Sequence, residues 1–135
     1  MIYIIDDDKA NNYLTRIMLE DAGLNNFTQF RLAQEALDLL QKLASENNLS
    51  DFPEIILLDI NMPAMDGWAF LTEFRKLPVE FTAKPQIYLL TSSDYPGDYK
   101  KAEAFPEVID FLGKPLTEEV AAWLKEKYLS APIKS

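Results

Sequence analysis

The sequence contains neither cysteine nor histidine. Without thiols the chain forms no disulfide and offers no thiol nucleophile. Without either residue type, a structural zinc site is not expected, because such sites are built from Cys and His ligands. Any chemistry that requires an imidazole must therefore involve another protein.

Basic residues are scarce and long hydrophobic runs are missing. The 13 Lys and Arg residues stand against 22 Asp and Glu residues, so the formal net charge is −9. Because phosphate backbones are bound through an excess of Lys and Arg, direct binding to nucleic acid is not expected. No apolar run approaches the roughly 20 residues that span a bilayer, and Met1–Ile5 lacks the basic start of a signal peptide. The sequence predicts a cytoplasmic protein without membrane insertion.

The length of 135 residues and the hydrophobic fraction of 48% suit a single domain with a real core. We predict one domain over residues 1–130, followed by a short tail over residues 131–135. Short apolar runs alternate five times with stretches of helical spacing. The runs are typical of buried strands and cover residues 2–5, 27–30, 55–58, 87–90 and 108–112.

Five strand–helix units in a row predict an α/β domain with a five-stranded parallel sheet. The expected topology is the doubly wound, flavodoxin-like (βα)5 arrangement with strand order 2-1-3-4-5. Gly23 is expected to end the first helix. The fourth helix is predicted to be short and weak over Tyr99–Ala104, with Pro96–Gly97 and Pro106 as its boundaries.

Four polar stretches each follow a predicted strand: Ile5–Asp8, Leu57–Pro63, Leu90–Ser93 and Gly113–Pro115. The carboxyl ends of parallel strands meet at one edge of the sheet, and ligands bind there near the point where the strand order reverses. The sequence therefore predicts a single site that contains three carboxylates, a hydroxyl and an ammonium group.

The carboxylates of Asp6, Asp7 and Asp59 are predicted to hold Mg²⁺, a hard cation that prefers oxygen ligands. Without a cation, like charges at one site would raise each other's pKa. Asp6 is expected to act through a water molecule or by orienting its neighbour, and the backbone carbonyl of Asn61 is a further candidate ligand. Asp8 is expected to cap the helix that follows it.

Thr91 and Lys114 complete the predicted site. The hydroxyl and the ammonium, together with a metal, suit the charge of a transferring phosphoryl group. Pro115 restricts the backbone of Lys114 to an extended form, and a cis bond between the two is expected. A carboxylate such as Asp59 can attack phosphorus, so this residue is either the nucleophile or only a metal ligand.

Together these residues resemble the receiver (response-regulator) domains of bacterial two-component phosphorelays, over essentially the whole chain. The resemblance implies that Asp59 accepts a phosphoryl group from a partner phosphohistidine in a Mg²⁺-dependent reaction that the domain itself catalyses. It also implies that Thr91 is the switch hydroxyl and that Lys114 binds the phosphoryl group. The motifs that carry it are Asp6–Asp7, Leu57–Pro63 around Asp59, Asp66–Gly67, Thr91 and Lys114–Pro115.

The resemblance extends to positions beside the site. Phe111 lies where the family keeps a rotating aromatic switch, and because Phe lacks the hydroxyl of Tyr, a hydrogen-bonded version of that switch is not expected. Asn61 and Ser93 occupy the two positions that tune hydrolysis of the acyl phosphate, and neither is an acid here. The segment Asn11–Leu14 resembles that of stand-alone, chemotaxis-regulator-like receivers.

The resemblance implies a sensor histidine kinase or a histidine phosphotransfer protein as the phosphodonor. The expected output is a protein contact through the face formed by the fourth helix, fifth strand and fifth helix, or onward phosphotransfer. A DNA-binding domain would not fit within Ser130–Ser135, although the chain is also compatible with a piece of a longer regulator. The domain is not expected to be an enzyme beyond catalysing its own phosphorylation and dephosphorylation.

The residues argue against three alternative functions. A receiver-like interaction module would never be phosphorylated, which the complete set of site residues argues against. Phosphatases of the haloacid-dehalogenase type carry an acid two residues after the nucleophile, where this chain has Asn61. An FMN-binding flavodoxin-like protein cradles a phosphate in its first loop, where Asp6–Asp8 would repel it.

Overall fold

The computed structural model describes residues 1–92 and 96–130. Strands and helices alternate along this part of the chain. The elements are β1 (Ile2–Ile5), α1 (Lys9–Asp21), β2 (Phe27–Phe30), α2 (Ala33–Ser45), β3 (Ile55–Asp59), α3 (Gly67–Phe74), α4 (Val79–Thr82), β4 (Gln86–Thr91), α5 (Pro96–Ala102), β5 (Val108–Gly113) and α6 (Glu118–Leu129).

The five strands form one parallel sheet in the order β2-β1-β3-β4-β5, which confirms the predicted fold class and topology. The register aligns the carboxyl ends of the strands at one edge. Ile5 of β1 pairs with Leu58 of β3, and Thr91 of β4 pairs with Gly113 of β5. Residues that directly follow these strands are therefore brought together at this edge.

Helices cover both faces of the sheet, so the inner strands β1, β3 and β4 are buried on both sides. The edge strand β5, which was expected to be buried, is mostly half-buried or exposed. Alternate residues of β1 and β3 point to opposite faces. Ile5 and Leu58 belong to the cluster that contains the buried faces of α2 and α3, whereas Ile4 and Leu57 belong to the one that contains Leu19 of α1 and two residues of α6, Ala121 and Leu124. Each fully buried aliphatic side chain contributes about 1.5–3 kcal/mol to the free energy of unfolding.

A single-turn helix between α3 and β4 was not predicted. The helix α4 follows Pro78, and its Phe81 is 1% exposed. The Phe81 ring packs edge-on against Phe52, with ring centroids 5.1 Å apart. Four residues are too few to show a helical period, so this turn is visible only through its packing. The predicted fourth and fifth helices are consequently α5 and α6.

The start of α5 differs from the prediction. The helix covers Pro96–Ala102 rather than Tyr99–Ala104, so the Pro96–Gly97 pair opens the helix instead of preceding it. Proline is tolerated in the first turn, because its missing N–H would have no intrahelical partner there. The prediction for Gly23 is confirmed, since α1 ends at Asp21 and Gly23 has a φ of +90°.

The tail over residues 131–135 and Ser93 lie outside the described residues, so the domain boundary at residue 130 stays a prediction. Within the described part of the chain, no helix has both the length and the apolar character needed to cross a membrane.

Candidate functional site

The predicted site residues meet at the carboxyl edge of the sheet. Asp6 follows β1, Asp59 ends β3, Thr91 ends β4 and Lys114 follows β5. The Nζ atom of Lys114 lies 3.2 Å from Oδ1 of Asp6 and 3.0 Å from Oδ2 of Asp59. Residues more than 100 positions apart in sequence are thus held together by the parallel register. The Lys114–Pro115 peptide bond is cis, as expected.

Three carboxylates form a cluster that could hold a metal ion. Asp6, Asp7 and Asp59 each offer an oxygen atom, and these atoms lie within 4.8 Å of one another. Asp6 and Asp59 are buried, while Asp7 is partly exposed to solvent. Carboxylate oxygens at an edge that solvent reaches are the ligands that Mg²⁺ prefers, so the donor set fits this cation.

Burial and the charge of Lys114 shift the pKa of the Asp59 carboxyl in opposite directions. Burial raises the pKa of Asp59 to about 6, the hydrogen bond and charge of Lys114 oppose this rise, and the neighbouring charge of Asp6 adds to it. For the Lys114 ammonium, burial lowers the pKa, but the interactions with Asp59 and Asp6 outweigh burial and leave the pKa raised. Lys114 is therefore charged at neutral pH, and its ammonium pairs with two acids of the cluster, Asp6 and Asp59.

Asp8 caps a helix, whereas Asp6 and Asp7 belong to the carboxylate cluster. Its carboxylate accepts hydrogen bonds from the backbone N–H groups of Ala10 at 2.9 Å and Asn11 at 3.2 Å, which confirms it as the N-cap of α1.

Asn61 contacts the predicted phosphoacceptor. Its backbone N–H donates to Oδ1 of Asp59 at 3.1 Å. Asn61 is therefore adjacent to the carboxylate cluster, and the role of its carbonyl as a metal ligand stays a prediction.

Two asparagines that the sequence reading did not assign to the site contact Asp6 directly. Asn11 Nδ2 donates to Oδ2 of Asp6 at 2.6 Å, and Asn12 Nδ2 donates to the Asp6 backbone carbonyl at 2.6 Å. The available signal was the pair of adjacent amides at the start of α1. Such side chains disfavour a helix interior unless they find hydrogen-bond partners.

The loop after Asp59 is held tightly against the start of α3. Asp66 caps this helix by accepting a hydrogen bond from the Ala69 N–H at 2.8 Å. The N–H of Gly67 donates to the Ile60 carbonyl at 3.0 Å. A Cβ atom at Gly67 would lie only 2.9 Å from the Asp59 carbonyl oxygen, so only glycine allows this approach.

The two predicted switch residues share a cavity of about 220 Å³ beside the site. The Phe111 ring is partly exposed and packs on Tyr99 of α5, with ring centroids 4.3 Å apart. The backbone N–H of Lys114 donates to the Thr91 carbonyl at 3.0 Å, which joins the ends of β4 and β5. The cavity is lined by Thr91, Ser92, Tyr99, Phe111, Leu112, Gly113 and Lys114.

Comparison with known families identifies this arrangement. The family model of the response regulator receiver domain matches residues 2–122. The chain belongs to this family. Receiver domains are the phosphoacceptor domains of two-component systems; they are phosphorylated by histidine kinases and typically use Mg²⁺.

Similar proteins support the same assignment. The chain is 28% identical over 130 residues to the DNA-binding transcriptional regulator NtrC of Escherichia coli, which covers 96% of this chain and 25% of NtrC. A two-component response regulator from Cytophaga hutchinsonii has a TM-score of 0.82 at 30% identity, with 95% of each chain covered. The chemotaxis protein CheY4 of Vibrio cholerae, at 22% identity and a TM-score of 0.73 over 94% of this chain and 96% of that one, shares the fold. This chain spans between a quarter and about half of the length of the first curated relatives that it matches.

Proposed function

We propose that the receiver domain takes a phosphoryl group from a partner phosphohistidine onto Asp59 in a Mg²⁺-dependent reaction. The observation that carries this proposal is the Lys114 ammonium, which bridges Asp6 and Asp59 within a cluster of three carboxylates. A carboxylate, an ammonium and a cation site at one accessible edge are the groups that phosphoryl transfer requires. Because these 135 residues contain no histidine, the phosphohistidine lies outside them.

In the proposed step, a carboxylate oxygen of Asp59 attacks the phosphorus atom and forms an O–P bond. The N–P bond of the phosphohistidine breaks, and the imidazole leaves with the electron pair of that bond. Lys114 is placed to neutralise charge on the phosphoryl oxygens, and the Thr91 hydroxyl is the proposed donor to one of them. The domain thereby catalyses its own phosphorylation and dephosphorylation, and we propose no other substrate.

The carboxylates of Asp6, Asp7 and Asp59, with the carbonyl of Asn61, are the proposed ligands of Mg²⁺. When bound, the cation supplies positive charge that offsets the negative charge of the acids and of the phosphoryl oxygens. Asp7 is the partly exposed member of the cluster, whereas Asp8 is engaged as a helix cap. Asp7 is therefore proposed to contribute more to Mg²⁺ affinity than Asp8 does.

The proposed partners are a sensor histidine kinase or a histidine phosphotransfer protein as donor, and a protein target as output. A new charge near −2 on Asp59 would attract the Thr91 hydroxyl and Lys114. Because Phe111 lines the same cavity as Thr91, a shift of Thr91 opens space for this ring. The output surface is accordingly proposed on the face formed by α5, β5 and α6.

Intact-mass measurement after incubation with a small phosphodonor and Mg²⁺ tests the proposal. The wild type should gain a single phosphate, and Asp59→Asn should gain none. Glu46→Gln, which removes an exposed acid far from the site, is the control and should be labelled like the wild type. Undiminished labelling of Asp59→Asn would contradict the assignment of the acceptor.

The roles of the adjacent acids are separated by Mg²⁺ titration of Asp7→Ala and Asp8→Ala. Asp7→Ala should weaken binding more, since it removes a proposed ligand. Asp8→Ala should mainly lower the free energy of unfolding, by about 1 kcal/mol for a lost helix cap. A larger loss of Mg²⁺ affinity in Asp8→Ala would show that the two residues have been assigned the wrong way round.

A further inference from the structure

Asn11 and Asn12 form a matched pair of buried amides that both reach back to Asp6. They are 7% and 8% exposed, respectively. Each donates one hydrogen bond to Asp6 at 2.6 Å, but to different groups. Asn11 contacts the carboxylate, which belongs to the site, whereas Asn12 contacts the backbone carbonyl, which belongs to the scaffold.

The Asp6 carboxylate depends on protein donors because the residue is 0% exposed. Its Oδ1 atom accepts from the Asp8 backbone N–H at 3.0 Å and from Lys114 Nζ at 3.2 Å. Its Oδ2 atom accepts from Asn11 Nδ2. A buried carboxylate oxygen without a donor carries a large desolvation cost, so the donor on Oδ2 determines which way the carboxylate turns.

We infer that Asn11 is a positioning residue of the phosphorylation site. By holding Oδ2 of Asp6, it fixes Oδ1 against the Lys114 ammonium, and Lys114 in turn lies 3.0 Å from Asp59. A chain of three charged or polar contacts thus leads from α1 to the acceptor. This inference rests on the proposed function and adds to it a residue that touches neither the acceptor nor the phosphoryl group.

Loss of the Asn11 amide would leave the Asp6 carboxylate without its donor on Oδ2. Leucine has nearly the same shape as asparagine but offers no donor, so Asn11→Leu leaves Oδ2 of Asp6 buried beside an apolar group. The carboxylate then rotates or draws Lys114 toward Oδ2, and either change moves the ammonium away from Asp59. Residues that orient the ligands of a metal site typically contribute about 10- to 100-fold to metal affinity.

The test compares Asn11→Leu with Asn12→Leu. Both variants lose one buried 2.6 Å hydrogen bond to Asp6, so both should be destabilised in thermal unfolding to a similar degree. Only Asn11→Leu should weaken Mg²⁺ binding, by about tenfold in calorimetry. In the metal-free protein, the NMR signal of the Lys114 ammonium should shift in Asn11→Leu and stay near its wild-type position in Asn12→Leu.

The rate of labelling by a small phosphodonor at saturating Mg²⁺ adds a readout that does not depend on Mg²⁺ affinity. Labelling should be slower in Asn11→Leu but not in Asn12→Leu. If Asn11→Leu does not fold, the smaller pair Asn11→Ala and Asn12→Ala provides the same comparison. Equal Mg²⁺ affinity, Lys114 signal and labelling rate in the two variants would overturn the role of Asn11 while wild-type labelling still supported the proposed function. A wild type that binds no Mg²⁺ and gains no phosphate would overturn both.

Discussion

Gly67 shows how one residue can fix the position of the acceptor loop. Its missing side chain lets α3 begin against the backbone of Asp59 and Ile60, where a Cβ would meet atoms at 2.9 and 3.0 Å. Both of these atoms belong to the backbone and have no flexible side chain to move aside. Any larger residue must therefore displace either the helix or the loop that carries the acceptor.

We expect Gly67→Ala to lower the free energy of unfolding by about 1–3 kcal/mol, the usual cost of overpacking. It should also slow labelling of Asp59, because the loop shifts relative to Lys114. Urea denaturation and intact-mass kinetics measure the two effects. The control for the unfolding measurement is Gly113→Ala, because a Cβ at that glycine meets no atom within 4 Å. Equal free energies of unfolding in the two variants would contradict a steric role for Gly67.

The raised pKa of the Asp59 carboxyl should make the free energy of unfolding of the metal-free protein depend on pH. Its pKa in the folded protein is about 6, above the ordinary value of 3.8. Between these values the folded state binds more protons than the unfolded state does, so the contribution of Asp59 to the free energy of unfolding decreases as the pH rises from about 4 to 6. At neutral pH, the ionised Asp59 therefore destabilises the metal-free fold.

Asp59→Asn should accordingly be more stable than the wild type at pH 7 without Mg²⁺, by about 1–3 kcal/mol. The difference should disappear near pH 4, where the Asp59 carboxyl is protonated in the folded wild type. Urea unfolding at several pH values measures it, with the exposed-site variant Glu46→Gln as the control for simple charge removal. A constant difference between pH 4 and pH 7 would show that the ionisation of Asp59 is not its cause.

At the scale of the elements, Arg75 joins α3 to the segment after α5. Its Nη2 atom donates to the Ala104 carbonyl at 3.0 Å and to Glu107 Oε1 at 2.7 Å. The guanidinium lies 4.5 Å from the centre of the Phe105 ring, which stacks on Trp68 with centroids 5.7 Å apart. Since α3 begins at the acceptor loop, this contact links that loop to the end of α5.

Replacing this arginine should loosen the α5–β5 connection. We expect Arg75→Ala to lower the free energy of unfolding by about 1 kcal/mol, to increase hydrogen exchange over residues 99–108 and to change the fluorescence of Trp68. Lys76→Ala, which removes a surface ion pair with Glu73 just after the end of α3, is the control and should stay within about 0.5 kcal/mol of the wild type. Unchanged exchange over residues 99–108 in Arg75→Ala would argue against the link.

At the scale of the whole molecule, the cavity beside the site is where the proposed rearrangement would begin. Thr91 and Phe111 line this cavity of about 220 Å³ together with Tyr99 of α5. Interfaces and packed cores have discrete alternative arrangements, so a small shift at the acceptor can be converted into a larger one at α5 and β5. The seven-residue α5 is the short helix on this path.

We expect a phosphoryl mimic such as beryllofluoride, bound with Mg²⁺, to change hydrogen exchange and NMR shifts over residues 96–112. The reason is that Thr91 moves toward the new charge and Phe111 turns into the vacated space. Asp59→Asn should abolish these changes, and the wild type with Mg²⁺ but without beryllofluoride distinguishes them from effects of the cation alone. Changes confined to the loops around Asp59 would show that the rearrangement does not reach α5 and β5.

The sequence alone determined the order of the strands and the placement of the main site residues. The strand runs are local signals, and a parallel sheet necessarily brings the ends of its strands to one edge, so the sequence predicts that Asp6, Asp59, Thr91 and Lys114 lie together. Asp8 as a helix cap and Gly23 as a helix end were likewise local, because capping depends on neighbouring backbone groups.

Only the tertiary structure decided the contacts that support that edge and join the elements around it. The direction of the Asn11 and Asn12 amides, the approach of Gly67 to Asp59 and the contact of Arg75 with Phe105 depend on how helices pack on the sheet. The single turn of α4 exists because Phe81 fills a space beside Phe52. Some of these contacts join residues that are distant in sequence, and others depend on the orientation of a helix. No local sequence pattern encodes either kind.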